Sequence, residues 1–132
     1  MVRAWQEGAE TILPDHIIPN PKGIAKAILR GDPGRVYTHM RAIVKESGGT
    51  FVSASETEIR EARQLALDLE GIDICFSAAT AVASVIKQTR RNAINKDAII
   101  LVNLTGSDRP EKDIPDDVIH LYKNQGKWNK KV

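Results

Sequence analysis

The chain has 132 residues, of which 42% are hydrophobic, and its 19 basic and 17 acidic side chains leave a formal net charge of +2. This length supports one domain with a buried core and leaves no room for two. The single Cys75 excludes an internal disulfide, and no apolar run approaches the roughly 20 residues of a membrane span. We therefore expect a cytoplasmic protein that makes no contact with a membrane.

The first third of the chain predicts a loop followed by one clear helix. Residues 12–21 contain three prolines and predict a loop, whereas the spacing of Ile24 and Ile28 favours a short helix over residues 22–30. Asp32 is a good N-cap, and Pro33 suits the first helical position. The helix that follows has apolar residues at helical spacing and ends at the glycine pair 48–49; these residues are Val36, Met40, Ile43 and Val44.

The middle of the chain predicts two more helices and two short strands. Residues 50–53 and 72–74 are β-prone. Between them, Ser55 and Glu58 form a capping box that starts a helix, and Gly71 ends it. Its expected buried face is Ile59, Ala62, Ala66 and Leu69, with Leu65 beside it. Ser77 is the expected N-cap of the next helix, whose apolar residues are Ala78, Val82, Val85 and Ile86.

The apolar run at residues 98–104 predicts a buried strand. Helices and strands would then alternate as they do in a parallel α/β sheet. We therefore predict an α/β fold, an open three-layer sandwich with a small, mainly parallel sheet. Residues 109–115 predict a loop, residues 118–122 a last short strand, and residues 117–132 a polar, basic C-terminal tail.

Two places in this scheme could hold a ligand. Thr105 and Gly106 follow the predicted strand and would place a hydroxyl and a bare backbone at the carboxyl edge of the sheet, where open α/β folds bind ligands. The alternative is an ordinary loop at the end of a strand, which can have the same sequence. Small residues fill 77–84, so a flat ring could approach that helix start closely and its free N–H groups favour an anion. A tightly packed core helix is the alternative.

Other kinds of site find little support. His16, His39 and His120 are far apart and lack partners at ligand spacing, so we expect no metal. Cys75 is expected to be a small buried hydrophobe, and no glycine-rich loop of dinucleotide or P-loop spacing is present. The basic end of the chain predicts a solvated tail and no nucleic-acid partner, although salt-dependent nucleic-acid binding is the alternative; its basic and aromatic residues are Tyr122, Lys123, Lys127, Trp128, Lys130 and Lys131.

Six short motifs together resemble a known family. They occur in the same order and at similar spacing in the carboxyl-terminal part of threonine synthase and of the related cysteate synthase, which are fold-type II pyridoxal phosphate enzymes. The motifs are QEGA at 6–9, AKAILRGDP at 25–33, KESGGT at 45–50, LEGI at 69–72, SAA at 77–79 and LTG at 104–106. Residues 70–74, 78–84 and 103–106 look somewhat closer to cysteate synthase. The resemblance implies that residues 1–116 are the C-terminal portion of a large domain that depends on pyridoxal phosphate (PLP).

The resemblance also implies roles for three residues. Thr105 would hydrogen-bond the pyridine nitrogen of pyridoxal phosphate, with Gly106 and Ser77 also at the cofactor and residues 25–33 near the substrate. A hydroxyl at the ring nitrogen does not favour its protonation, so the ring is a weaker electron sink. This restrains transamination and suits elimination and replacement at the β or γ carbon.

The chain departs from the family's pattern in several places. We expect it to lack the Schiff-base lysine of the family's amino-terminal third and the glycine-rich phosphate loop, so no catalytic residue is assigned. Residues 1–5 resemble an interior strand of the family's large domain. Ser107 and Asp108 replace the family's usual Leu-Thr-Gly-His-Gly or Thr-Gly-Gly-Gly ending, and residues 75–78 read Cys-Phe-Ser-Ala where the family has Glu-Pro-Ala-Ser.

The resemblance therefore implies a C-terminal fragment or split subunit that is not competent alone. Joined to its missing catalytic segment or subunit, it would replace phosphate on O-phosphohomoserine, giving threonine, or on O-phosphoserine, giving cysteate. We expect a homo-oligomer and an exposed apolar sheet edge that self-association or a partner covers. The alternative is a non-catalytic binding or interaction module that retains the family scaffold.

Overall fold

The computed structural model describes residues 1–107, 119 and 121–130. This part of the protein is α/β, with four α-helices and a two-stranded antiparallel sheet. The elements are α1 (Val2–Gln6), α2 (Gly34–Glu46), α3 (Glu56–Glu70), α4 (Phe76–Arg90), β1 (Leu121–Asn124) and β2 (Lys127–Lys130). Single 3-10 turns occur at Pro14–His16 and Lys26–Ile28. Among the described residues, none of the helices has the length and hydrophobicity that a membrane span needs.

The predicted helix after Asp32 is confirmed as α2, with a start one residue later than expected. Pro33 is the N-cap rather than the first helical residue. Asp32 still supports the start, because its Oδ1 accepts a hydrogen bond from the Gly34 N–H at 2.8 Å. The short helix expected over residues 22–30 is a single 3-10 turn at Lys26–Ile28.

Both ends of α3 form as the sequence predicts. The Ser55 hydroxyl accepts a hydrogen bond from the Glu58 N–H at 3.2 Å, and the Ser55 N–H donates to the Glu58 carboxylate at 2.6 Å. Gly71 ends the helix in the left-handed conformation at φ +66°, which glycine adopts without steric cost. The buried face is Ile59, Ala62 and Ala66, as predicted. The prediction that Leu69 belongs to this buried face is wrong, because 70% of its surface is exposed.

The next helix, α4, begins before the expected residue. Cys75 is its N-cap and Phe76 its first residue, so the prediction of Ser77 as N-cap is wrong. The helix packs against α3 and against the turn at Lys26–Ile28. The core that results is rich in alanine; its buried members are Ala25, Ile59, Ala62, Ala66, Ile74, Ala78, Ala79 and Ala83. Small side chains at these positions let the two helix backbones approach closely.

A second group of buried side chains lies around α1 and α2. Tyr37 of α2 is fully buried, and its hydroxyl donates a hydrogen bond to the Ala9 carbonyl at 2.8 Å. Phe51 contacts both Tyr37 and Trp5, with ring centroids 6.0 and 5.3 Å apart. These contacts tie α1 to α2 and to the segment that leads into α3.

The predicted parallel sheet and three-layer sandwich are wrong for the described residues. Residues 50–53, 72–74 and 98–104 form no strands, and residues 1–5, expected to resemble an interior strand, lie mainly in α1. The apolar run was expected to be buried, yet Ile99 and Leu101 are 102% and 94% exposed. A strand needs a neighbour for its backbone N–H and C=O groups, and no described segment pairs with this one.

The sheet that is present is a hairpin in the basic tail. Tyr122 pairs with Asn129 and Asn124 with Lys127. Gln125 and Gly126 form the turn with φ values of 47° and 80°, as a two-residue turn of this kind requires. The strand predicted over 118–122 therefore overlaps β1 only at its end. The loop at 109–115, Asp108, His120, Lys131 and the boundary at 116–117 lie outside the described residues.

Candidate functional site

The segment with Thr105 and Gly106 lies against the start of α4. The Gly106 carbonyl accepts a hydrogen bond from the Cys75 N–H at 3.0 Å. A Cβ atom at Gly106 would lie 2.7 Å from the Cys75 Sγ, well inside normal contact distance. Because Gly106 has no side chain, this segment can pack against Cys75, the N-cap of α4. We call α4 the small-residue helix, after its small residues at 77–84.

Thr105 is exposed and lines an open cavity of about 350 Å³. The other lining residues are Ile72, Asp73, Ile74, Leu104, Gly106 and Ser107. Sequence reasoning missed Asp73, whose signal is a carboxylate between two isoleucines. Its Oδ1 accepts hydrogen bonds from two nitrogens of the Arg63 guanidinium, at 2.8 and 3.1 Å. The cavity thus combines a hydroxyl with a carboxylate that is already paired.

Ser77 lines a different cavity, of about 410 Å³. Lys26 and Ala27 line this cavity from the neighbouring turn, together with Cys75. Cys75 also contacts Gly106, so it stands between the Ser77 cavity and the Thr105 cavity. The three predicted site residues are therefore in one region of the fold but do not share one cavity. Lys26 belongs to the motif at 25–33 and was not assigned a role from the sequence.

Positive charge lies beside this region. The Phe76 ring lies beneath two guanidinium groups, with the Cζ of Arg63 at 4.7 Å and that of Arg60 at 5.4 Å from the ring centroid. Such cation–π contacts hold arginine side chains in place. The start of α4 is therefore flanked by cations from α3.

The two described histidines take structural or solvent-exposed positions. The imidazole of His16 is buried, its Nδ1 accepts a hydrogen bond from the Leu13 N–H at 3.0 Å, and its Nε2 lies 2.7 Å from the Glu7 Oε2. Because Nδ1 is an acceptor, Nε2 carries the proton that it donates to Glu7. This hydrogen bond lowers the pKa of Glu7 from its ordinary value of 4.5. His39 is exposed on α2, and no group of metal-binding side chains occurs among the described residues.

The known proteins that this chain resembles are threonine synthases and cysteate synthases. A threonine synthase from Methanosarcina acetivorans is 34% identical over 106 residues, which are 80% of this chain and 25% of that protein. A cysteate synthase from Methanoculleus marisnigri is 32% identical over 112 residues, 80% of this chain and 26% of that protein. A threonine synthase from Bacillus sp. strain ULM1 is 31% identical over 108 residues, 82% of this chain and 30% of that protein. No protein-family model matches the chain.

The relatives confirm the resemblance found in the motifs and limit its extent. The chain spans only about a quarter of the length of the first two of these relatives. The two names occur at similar identity, so the closer likeness to cysteate synthase stays a prediction. Over 80% of its length, the chain resembles a partial threonine synthase-like or cysteate synthase-like region.

Proposed function

We propose that this chain supplies one wall of a pyridoxal phosphate site in a threonine synthase-like enzyme. Thr105 faces the pyridine nitrogen, with Gly106 and Ser77 close to the cofactor. The observation that carries the proposal is the contact between Gly106 and Cys75, because it joins the Leu-Thr-Gly motif to the start of the small-residue helix. These are two of the six motifs of the resemblance, and the fold brings them together.

The described residues fit the ring edge of such a cofactor. Thr105 offers an exposed hydroxyl beside a glycine, and a neutral hydroxyl can hydrogen-bond a pyridine nitrogen without supplying the negative charge that would favour its protonation. Ser77, near the start of α4, adds a hydroxyl and Lys26 adds a cation in the neighbouring cavity, on the other side of Cys75. Pyridoxal phosphate, when bound, supplies the electron sink for elimination and replacement at an amino acid's β or γ carbon.

The rest of the site comes from another polypeptide segment in this proposal. No described lysine lines the Thr105 cavity, and the relatives are about four times longer than the matched region. The exposed apolar residues Ile99 and Leu101 offer this segment a surface to cover. The complete enzyme replaces phosphate on a phosphorylated amino acid, O-phosphohomoserine or O-phosphoserine, and this chain alone is not competent.

Complementation tests the proposal. The purified chain is mixed with the remaining part of the Methanosarcina acetivorans threonine synthase, and phosphate release from O-phosphohomoserine and from O-phosphoserine is measured with cofactor absorbance. We expect turnover only in the mixture, an altered cofactor spectrum with Thr105→Val, and recovery with Thr105→Ser. Thr38→Val, on the exposed surface of α2, is the control and changes neither readout.

A borohydride experiment tests the assignment of the missing lysine. The chain alone is incubated with pyridoxal phosphate and reduced, and the products are mapped by mass spectrometry. A stable adduct at one defined lysine would contradict the assignment of that lysine to another segment.

A non-catalytic binding module is the second candidate, since no described lysine lines the Thr105 cavity. In that case, the mixture shows neither phosphate release nor a Thr105-dependent cofactor spectrum.

A further inference from the structure

An apolar groove of about 380 Å³ lies between α3 and α4, away from the Thr105 and Ser77 cavities. Ala62 and Ala83 form its floor and are 1% and 3% exposed. Leu65 and Ile86 form its walls, and 42% of Leu65 is exposed. Small side chains on the floor let another helix approach these two backbones closely.

The two helices that form the groove are antiparallel. The Lys87 Nζ, near the end of α4, lies 3.2 Å from the Glu58 Oε2, near the start of α3. Lys87 also donates to the Ser53 carbonyl at 2.9 Å. This ion pair spans the groove and shows that Glu58 and Lys87 lie at the same level along it. The levels of other residues on α3 and α4 can be counted from this pair.

Charge of opposite sign follows the two edges of the groove. Glu58 and Glu61 form an acidic edge on α3, and Lys87, Arg90 and Arg91 form a basic edge on α4. Glu61 and Arg90 are both exposed, and the described part of the chain offers neither of them an ion-pair partner. An occupant that suits the groove therefore carries an apolar centre between a basic and an acidic edge.

We propose that this groove binds the same groove of a second copy of the chain. A two-fold axis parallel to the groove sets the acidic edge of each copy over the basic edge of the other. A two-fold axis across the groove would instead oppose like charges, so the charge pattern selects the first arrangement. Such an interface is self-complementary, as two-fold symmetry requires.

Helix geometry brings the opposite charges within reach in this arrangement. Because Glu58 and Lys87 are at one level, Arg90 and Glu61 lie on opposite sides of that level, each about 4.5 Å along the helix axis at 1.5 Å per residue. Along the groove, Arg90 of one copy then lies about 4.5 Å from Glu58 of the other, and Glu61 of one copy lies about 4.5 Å from Lys87 of the other. The proposal is independent of the cofactor site.

Sedimentation equilibrium of the full chain over a concentration series tests the proposal. We expect a dimer that added salt weakens, since its charge pairs are partly exposed. Leu65→Glu places a charge in the groove and gives a monomer. Leu67→Glu is the matched control, because Leu67 is also 42% exposed on α3 but lies outside the groove. Circular dichroism confirms that both variants retain their helices.

Three results would overturn the proposal. The wild-type chain is a monomer across the series, or both leucine variants dissociate it equally, or Ile99→Lys dissociates it while Leu65→Glu does not. The last result would assign self-association to the exposed apolar run instead. Arg90→Gln serves as a further check and weakens the dimer without changing the helix content.

Discussion

Replacing Gly106 by alanine tests the docking of the Thr105 segment on α4. The added Cβ would lie 2.7 Å from the Cys75 Sγ, whereas nonbonded heavy atoms settle at about 3.5–4 Å. One of the two groups must therefore move by about 1 Å. Forced contacts of this kind cost about 1–3 kcal/mol. The sulfur ends a side chain with one rotatable bond, so we expect a loss of about 1–2 kcal/mol.

A double-mutant cycle followed by urea unfolding measures this effect. Gly106→Ala is made in the wild-type chain and in Cys75→Ala, where the sulfur is absent. We expect the alanine to lower the unfolding midpoint in the first background and to be nearly neutral in the second, giving a coupling of at least about 1 kcal/mol. An equal cost in both backgrounds would refute the contact, and so would no cost in the wild-type chain.

Three further predictions concern the caps and buried polar groups. Ser55→Ala removes the acceptor of the Glu58 N–H and should lower the unfolding free energy by about 1 kcal/mol; an unchanged urea midpoint would contradict the cap. Tyr37→Phe removes the 2.8 Å hydrogen bond to Ala9 and should cost about 1 kcal/mol, which thermal unfolding checks. The hydrogen bond from His16 lowers the pKa of Glu7 below 4.5. Its stabilisation is therefore present above pH 4.5 and is lost as the pH falls through the lowered pKa. Glu7→Gln should flatten this part of the acid unfolding curve, and an unchanged curve would exclude the pair.

Helices with explicit caps were predictable from the sequence because their signals are local. Ser55, Glu58 and Gly71 fix α3 through hydrogen bonds and one backbone conformation within a few residues. The start of α4 was misjudged by two residues, because Ser77 is the better capping side chain but the chain enters the helix at Cys75 without a side-chain cap. Local sequence signals therefore predict the presence of a helix more reliably than its first residue.

The strands could not be predicted in this way because a strand depends on distant partners. The run at Ile99 and Leu101 has strong β propensity, but it stays exposed and has no paired neighbour in the described part of the chain. Conversely, the basic tail has a weak apolar pattern and still forms a hairpin, since its Gln125–Gly126 turn brings adjacent residues together.

The candidate site shows the same division between local and distant signals. The small-residue helix and Thr105–Gly106 were both recognisable in the sequence. Their contact through Cys75 depends on how the segment after α4 returns to the start of that helix. Lys26 and Asp73 join the neighbouring cavities for the same reason.

The alanine-rich contact between α3 and α4 determines which other interactions fix the position of these helices. Methyl groups such as those of Ala62 and Ala83 set the separation between the helices but interlock weakly, so they offer little resistance when one helix slides along the other. The longer side chains that cross the interface then provide most of the resistance to sliding. The Glu58–Lys87 pair, with the Lys87 bond to the Ser53 carbonyl, is one of these contacts and favours one axial position, beside the larger core side chains Ile59 and Ile86. Its removal should permit shifted alignments of the two helices at a small cost in unfolding free energy.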